Sequence, residues 1–208
     1  YINPATVQNL LQERRLHASN NHRSLWNQFP KAVIEDIATL PCNHPRIAFR
    51  GQSRATDSRT FRVALVPPKV ILVHSANHLV FTDGDTKDVS YVLGILSSLV
   101  FDWCARRFVE TNVGFFVADE LPVPQVAKNH DLYQRVVSLS GRLASPDERF
   151  ADFAKAVGVQ YGPLEPDEKE DMIQELDAAV AHLYGLSEQQ LRHIFETFHV
   201  GWDYENRL

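Results

Sequence analysis

The residues with the most chemical potential lie between positions 46 and 69. Arg46, Arg50, Arg54, Arg59, Arg62 and Lys69 stand there against a single acid, Asp57, a net of +5 in 24 residues. Inside this stretch, Arg50-Gly51-Gln52-Ser53-Arg54-Ala55-Thr56-Asp57-Ser58-Arg59-Thr60 joins two strand-like segments. Arg, Gln, Ser and Thr bind phosphates and read base edges: an Arg fork matches guanine, Gln matches adenine, and hydroxyls serve either. A loop carried on a rigid sheet is where recognition residues usually sit. The bland alternative is a solvated hairpin whose arginines pair with the acidic segment 165–177. At the level of residue types both readings stay open.

Other chemistries lack their signatures. There is no Gly-x-Gly-x-x-Gly or Gly-x-x-x-x-Gly-Lys-Ser/Thr phosphate cradle and no Gly-x-Ser-x-Gly nucleophile elbow. Asn3-Pro4-Ala5-Thr6 is not the Asn-Pro-Pro-aromatic loop with which amino-methylating enzymes grip a flipped base. The nine histidines include His74 and His78, four apart but in strand and loop, and His182, His193 and His199, spread over two helices. Without a Cys pair or a His-Glu-x-x-His helix they give no metal-ligand pattern. Asp83/Asp85 reads as a turn, and Asp167, Glu168, Glu170 and Asp171 as a helix first turn, where the dipole favours acids. No catalytic residue, metal or cofactor is therefore expected in this chain.

The composition is that of an ordinary globular chain: 208 residues, 44% hydrophobic, 23% charged. Its net charge of −5 hides a split. Residues 1–144 carry 16 basic and 12 acidic side chains, a net of +4, and residues 145–208 carry 5 and 14, a net of −9. Such asymmetry points to a nucleic-acid surface on one part and an acidic face on the other. No apolar run reaches the roughly 18 residues of a membrane helix. Cys42 and Cys104, far apart, fit a reduced cytoplasmic protein better than a disulfide scaffold. The chain starts at Tyr1 without a basic-then-apolar leader; the expectation is a piece cut from a longer protein.

The elements that must position the basic stretch follow from pattern. Residues 1–42 read as a helical or linker segment, with a helix stop at Pro30. Residues 43–127 read as a sheet-plus-helix unit. Its expected strands are 46–50, 61–66, 70–73, 78–81 and 112–117, and one long helix spans 86–109 with Val92, Ile95, Leu96, Leu99, Val100 and Trp103 as its buried stripe. Leu121-Pro122-Val123-Pro124 must be an extended surface strap. Residues 128–208 read as a helical subdomain. Asn129 caps its first helix, Ser145-Pro146-Asp147-Glu148 opens a second that Gly158 stops, a third spans 167–184, and a capping box at Ser187 opens the last. The fold class expected is α+β: a small mixed sheet with a long packed helix, then a C-terminal helical subdomain.

Three runs together carry a resemblance. They are HPRIAFRGQSRATDSRTFRVALVPPKVILVHSANHLVF, YVLGILSSLVFDWCARRFVETNVGFFVADELPVP and ELDAAVAHLYGLSEQQLRHIFETFH. Over about residues 40–200 they resemble the C-terminal target-recognition domain of adenine-specific DNA methyltransferases from type II and type IIG restriction–modification systems. The helix and the Leu-Pro-x-Pro strap also resemble type I specificity subunits. The resemblance implies a non-catalytic module that packs beside a separate methyltransferase domain and holds double-stranded DNA between the two. S-adenosylmethionine and methyl transfer to adenine N6 would belong to the parent enzyme. Arg50, Arg54, Thr56, Ser58, Arg59 and Asn77 match the family pattern, as DNA contacts or as holders of the loop. Arg59-Thr60 is shared by enzymes of different target sequence, so it cannot itself encode one. Gln52, His74 and Ser75 are better placed for sequence readout, and Arg46, Ser53, Arg62 and Lys69 complete the expected DNA-binding set. Ser97-Ser98 departs from the family's usual Asn-Ser, which bears on helix packing or capping. The rival reading is a protein-interaction module whose acidic helices, 146–157 and 167–198, dock on a catalytic domain or partner subunit.

Overall fold

The computed structural model describes residues 3–54, 57–109 and 111–198. Asn3 caps the first helix, α1 (Pro4–Ser19), its side chain accepting from the Ala5 N–H, with Pro4 at the first helical position. Short 3-10 turns and α2 (Lys31–Glu35) follow. Three strands form the sheet: β1 (Arg46–Arg50), β2 (Val63–Val66) and β3 (Ala76–His78), in the order β2-β1-β3. Arg46 pairs with Val66 and Phe49 with Val63 on one side, and Arg50 with Ala76 on the other. The fold is α+β, but both pairings are antiparallel, so the mixed sheet expected is corrected. The connections from β1 to β2 and from β2 to β3 carry no crossover helix, and a parallel neighbour to β1 would need one.

Other strand expectations shrink for identifiable reasons. Pro67-Pro68 and then Lys69, at φ 64°, turn the chain away after Val66, so 70–73 forms no strand. The Val70 carbonyl is taken by the Arg46 guanidinium instead. Residues 112–117 keep one bridge, Asn112 to Gln52, before Gly114 opens α5 (Phe115–Glu120). A short apolar run does not distinguish strand from helix by pattern alone.

The long helix also divides. α3 (Thr86–Ser97) and α4 (Leu99–Ala105) meet at Ser98, whose extended backbone ends one helix while its Oγ accepts from the Phe101 N–H to cap the next. The axes bend by 64° there. The Leu99 N–H, freed by the break, donates to Asp177 Oδ1 at 2.7 Å. Among the described residues no single helix is long and apolar enough to cross a membrane. The Pro122–Pro124 strap is held by two phenols, Tyr91 to the Pro124 carbonyl (2.8 Å) and Tyr184 to that of Pro122 (2.6 Å).

The remaining helices are α6 (Asp131–Leu143), α7 (Ala151–Val157), α8 (Pro166–Leu183) and α9 (Glu188–Phe198). His130 rather than Asn129 caps α6. Asp147 rather than Ser145 caps the 3-10 turn leading into α7, because the Ser145 hydroxyl is spent on the Gly141 carbonyl. Ser187 and Gln190 form the expected capping box. α3 and α6 pack so closely that a Cβ on Gly94 would sit 2.6 Å from Val136 Cγ1. One apolar core runs from Ile47 and Phe49 on the sheet through α3 and α6 to Phe198.

Candidate nucleic-acid interface

Three backbone segments meet at the Arg50 end of the sheet. Gly51 N–H donates to the Ser75 carbonyl (2.8 Å), Val113 N–H to that of Gly51 (2.9 Å), and Ser53 N–H to that of Thr111 (3.3 Å). The Asn77 amide adds a bond to the Val113 carbonyl at 3.4 Å. Segments 50–54, 74–77 and 111–113 thus form one platform. On it Arg50, Gln52, Arg54, His74 and Ser75 are exposed. Thr111 and Asn112, which the sequence did not single out, are exposed beside them.

The platform is braced from beneath by a buried carboxylate. Asp102, on α4, has no solvent exposure. Its Oδ1 accepts from the Thr60 N–H (2.9 Å) and the Phe61 N–H (2.5 Å), and the Arg59 and Arg106 guanidinium groups approach Oδ2 at 3.7 Å. Burial pushes the Asp102 carboxyl above its ordinary value, against the pull of Arg59, the Phe61 N–H, Arg106 and the Thr60 N–H. Arg106 also donates to the carbonyls of Asp57 (2.6 Å) and Ser58 (3.0 Å), and Arg59 to that of Ser97. Phe61 carries the bracing into the core, packing on Phe49 and Phe101 with ring centroids 5.2 and 5.1 Å apart.

A second acid orders the loop from within. Asp57 accepts from Ser53 Oγ (3.1 Å) and the Arg54 N–H (3.4 Å) and faces Arg62 at 3.8 Å. The Arg54 N–H bond is the chief cause holding its carboxyl below the ordinary value, with Ser53, Arg62 and Arg50 adding to it. Arg59 pairs with Asp102 and Arg62 with Asp57, whereas Glu175 on the acidic helix pairs with Arg135. The solvated hairpin tied to segment 165–177 is not the arrangement found.

The expected DNA-binding residues therefore fall into distinct groups. Arg50, Gln52, Arg54, His74 and Ser75 share the platform, with Ser58 and Arg62 exposed beside it. Arg46 and Ser53 are buried, 6% and 4% exposed, and spent on internal bonds, so neither can reach a duplex. Arg59 is engaged by Asp102 and the Ser97 carbonyl. Asn77 is half-buried and bonded to Val113. Lys69 lies at the opposite end of the sheet, next to the Arg46–Val66 pair. Thr56 lies outside the described residues.

Asp102 and Arg106 are the loop-bracing residues that sequence reasoning missed. The available signal was an acid inside the apolar run Leu99-Val100-Phe101-Asp102-Trp103, a position no solvated carboxylate would occupy. Cys42 and Cys104 are free thiols. Among the described residues no three His, Cys, Asp or Glu side chains gather as metal ligands. Comparison with protein-family models, with curated proteins and with solved structures returns no match for this chain.

Proposed function

We propose that this chain is the sequence-specific recognition module of a double-stranded DNA adenine methyltransferase of the restriction–modification kind, acting in the cytoplasm beside a separate catalytic domain. The observation that carries the reading is the division of labour in the basic loop. Arg59, Thr60 and Ser53 hold the frame through Asp102 and Asp57, leaving Arg50, Gln52, Arg54, His74 and Ser75 exposed on one platform. A frame fixed before binding spares the ordering cost that a free loop incurs when it meets its ligand. Arg54 and Arg62 suit phosphates, and Gln52, His74 and Ser75 suit base edges. S-adenosylmethionine belongs to the parent's other domain, since this chain has no glycine-rich loop after a strand to cradle it. The exposed acids Asp167, Glu168, Glu170 and Asp171 on α8 repel phosphate and suit the protein–protein side of the module.

Selecting duplexes from a randomised pool with the purified chain tests this. The selected pool converges on a short motif. Gln52→Ala relaxes one position of it by about 1–3 kcal/mol, while Lys69→Ala, at the far end of the sheet, leaves the motif unchanged. A pool that never converges, or that converges identically for Gln52→Ala, overturns the reading.

A further inference from the structure

We propose that the cleft between α1 and the sheet is a binding site for a small oxyanion, a carboxylate or phosphate carrying an apolar group. The cleft measures about 300 Å³, with Trp26, Ile71 and Leu72 among its apolar walls and Arg14, Arg15 and Arg46 supplying the charge. This site stands apart from the platform and does not depend on the DNA reading.

The argument rests on two buried cations. Arg15 is 3% exposed and Arg46 6%. Arg15 donates only to neutral oxygens: Gln12 Oε1 (2.5 Å), Thr39 Oγ1 (2.9 Å) and the Asp36 carbonyl (2.7 Å). Arg46 donates to the carbonyls of Pro41 (3.2 Å) and Val70 (2.6 Å). Among the described residues neither forms an ion pair, and the Nε–H of each is buried without a hydrogen-bond partner. Asp36 lies close enough for its charge to be felt at Arg15, but its carboxylate caps the Ala38 N–H. Burial lowers the basicity of both guanidinium groups.

A buried charge is ordinarily paired, and here neutral hydrogen-bond acceptors, with Asp36 only nearby, are what the two guanidinium groups have. An anion in the cleft supplies the missing charge, and the planar guanidinium fork matches carboxylate and phosphate oxygens. Trp26, which already lies 5.8 Å from the Arg15 guanidinium, and the neighbouring leucine and isoleucine side chains give an apolar body somewhere to pack.

The test titrates the whole chain with benzoate and with inorganic phosphate at constant ionic strength, following Tm and tryptophan fluorescence. Benzoate gives a saturable rise in Tm and binds about tenfold more tightly than phosphate, one apolar group's worth of discrimination. The fluorescence change disappears in Trp26→Phe. Arg46→Met loses about tenfold or more in benzoate affinity while keeping its own Tm, because the substitution removes an uncompensated charge. Should Arg46→Met not fold, Arg14→Gln at the exposed rim weakens benzoate by about threefold. Wild-type responses no larger than those to matched chloride overturn the proposal, as does undiminished binding in Arg46→Met or, failing that variant, in Arg14→Gln.

Discussion

Replacing Asp102 by Asn probes the brace beneath the platform. The side chain keeps its shape but loses its charge at a site with no solvent exposure, where two backbone N–H groups and two guanidinium groups converge. Hydrogen bonds to a charged acceptor are worth about 1.5–3 kcal/mol each. Removing one partner of a buried ion pair costs roughly 3–5 kcal/mol, because the other charges stay buried without it. The two figures describe overlapping contacts and do not add, so the expected loss is about 3–5 kcal/mol. For a chain of this size each kcal/mol moves Tm by about 2–4 °C, which makes the fall in Tm roughly 6–20 °C. Urea denaturation gives the free energy, and amide hydrogen exchange at Thr60 and Phe61 gives the location. Asp102→Asn is expected to lose protection at those two amides well before the α8 amides. A loss under about 1 kcal/mol, with the two amides still protected, would refute the brace.

Two further outcomes follow from the helical side of the molecule. Burial opposes ionisation of Asp88, yet the hydrogen bonds from Lys128, the Asp85 N–H and Tyr133 outweigh it and hold the carboxyl at about 2. A carboxyl depressed in the folded state stabilises the protein above its ordinary pKa, near 4, and that contribution fades as pH falls toward 2. It is worth about 2 kcal/mol at most, so the gap in urea midpoint between wild type and Asp88→Asn, wide at pH 6, should shrink to about a third by pH 2.5; a constant gap contradicts it. Gly94→Ala gains about 1 kcal/mol of helix propensity but drives a methyl to 2.6 Å from Val136 Cγ1. Overpacking of about 1–3 kcal/mol should leave a net loss by urea denaturation, and a stabilised variant would show that α6 yields.

The sequence discloses most where a single local rule decides. Pro166 and Gly185 bracket α8, and Ser187 with Gln190 opens α9, because caps are written within four residues of the ends they fix. The break at Ser98 is hidden, since the apolar stripe runs through it and the bond that accepts Leu99 N–H comes from Asp177, 78 residues away. The segment 112–117 reads as a strand until Gly114 is seen to cap a helix. At the candidate site the residue types were legible, but their division into holders and free side chains was not. Arg59 and Arg54 look alike in sequence; only the packing of α4 against the loop puts Asp102 beside one of them. Likewise, nothing local to Arg46 indicates that its end of β1, away from the platform, packs against α1 and buries it.

The central claim is that the free side chains of the basic loop meet the phosphates of a duplex. Its most direct test is the dependence of duplex affinity on salt, measured by fluorescence anisotropy for the wild type and for Arg54→Ala. Each neutralised phosphate contributes about −0.9 to the slope of log K against log salt. The account predicts a steep negative slope for the wild type and one shallower by about 1 for Arg54→Ala. Binding that is absent at low salt, or slopes that coincide, would contradict it.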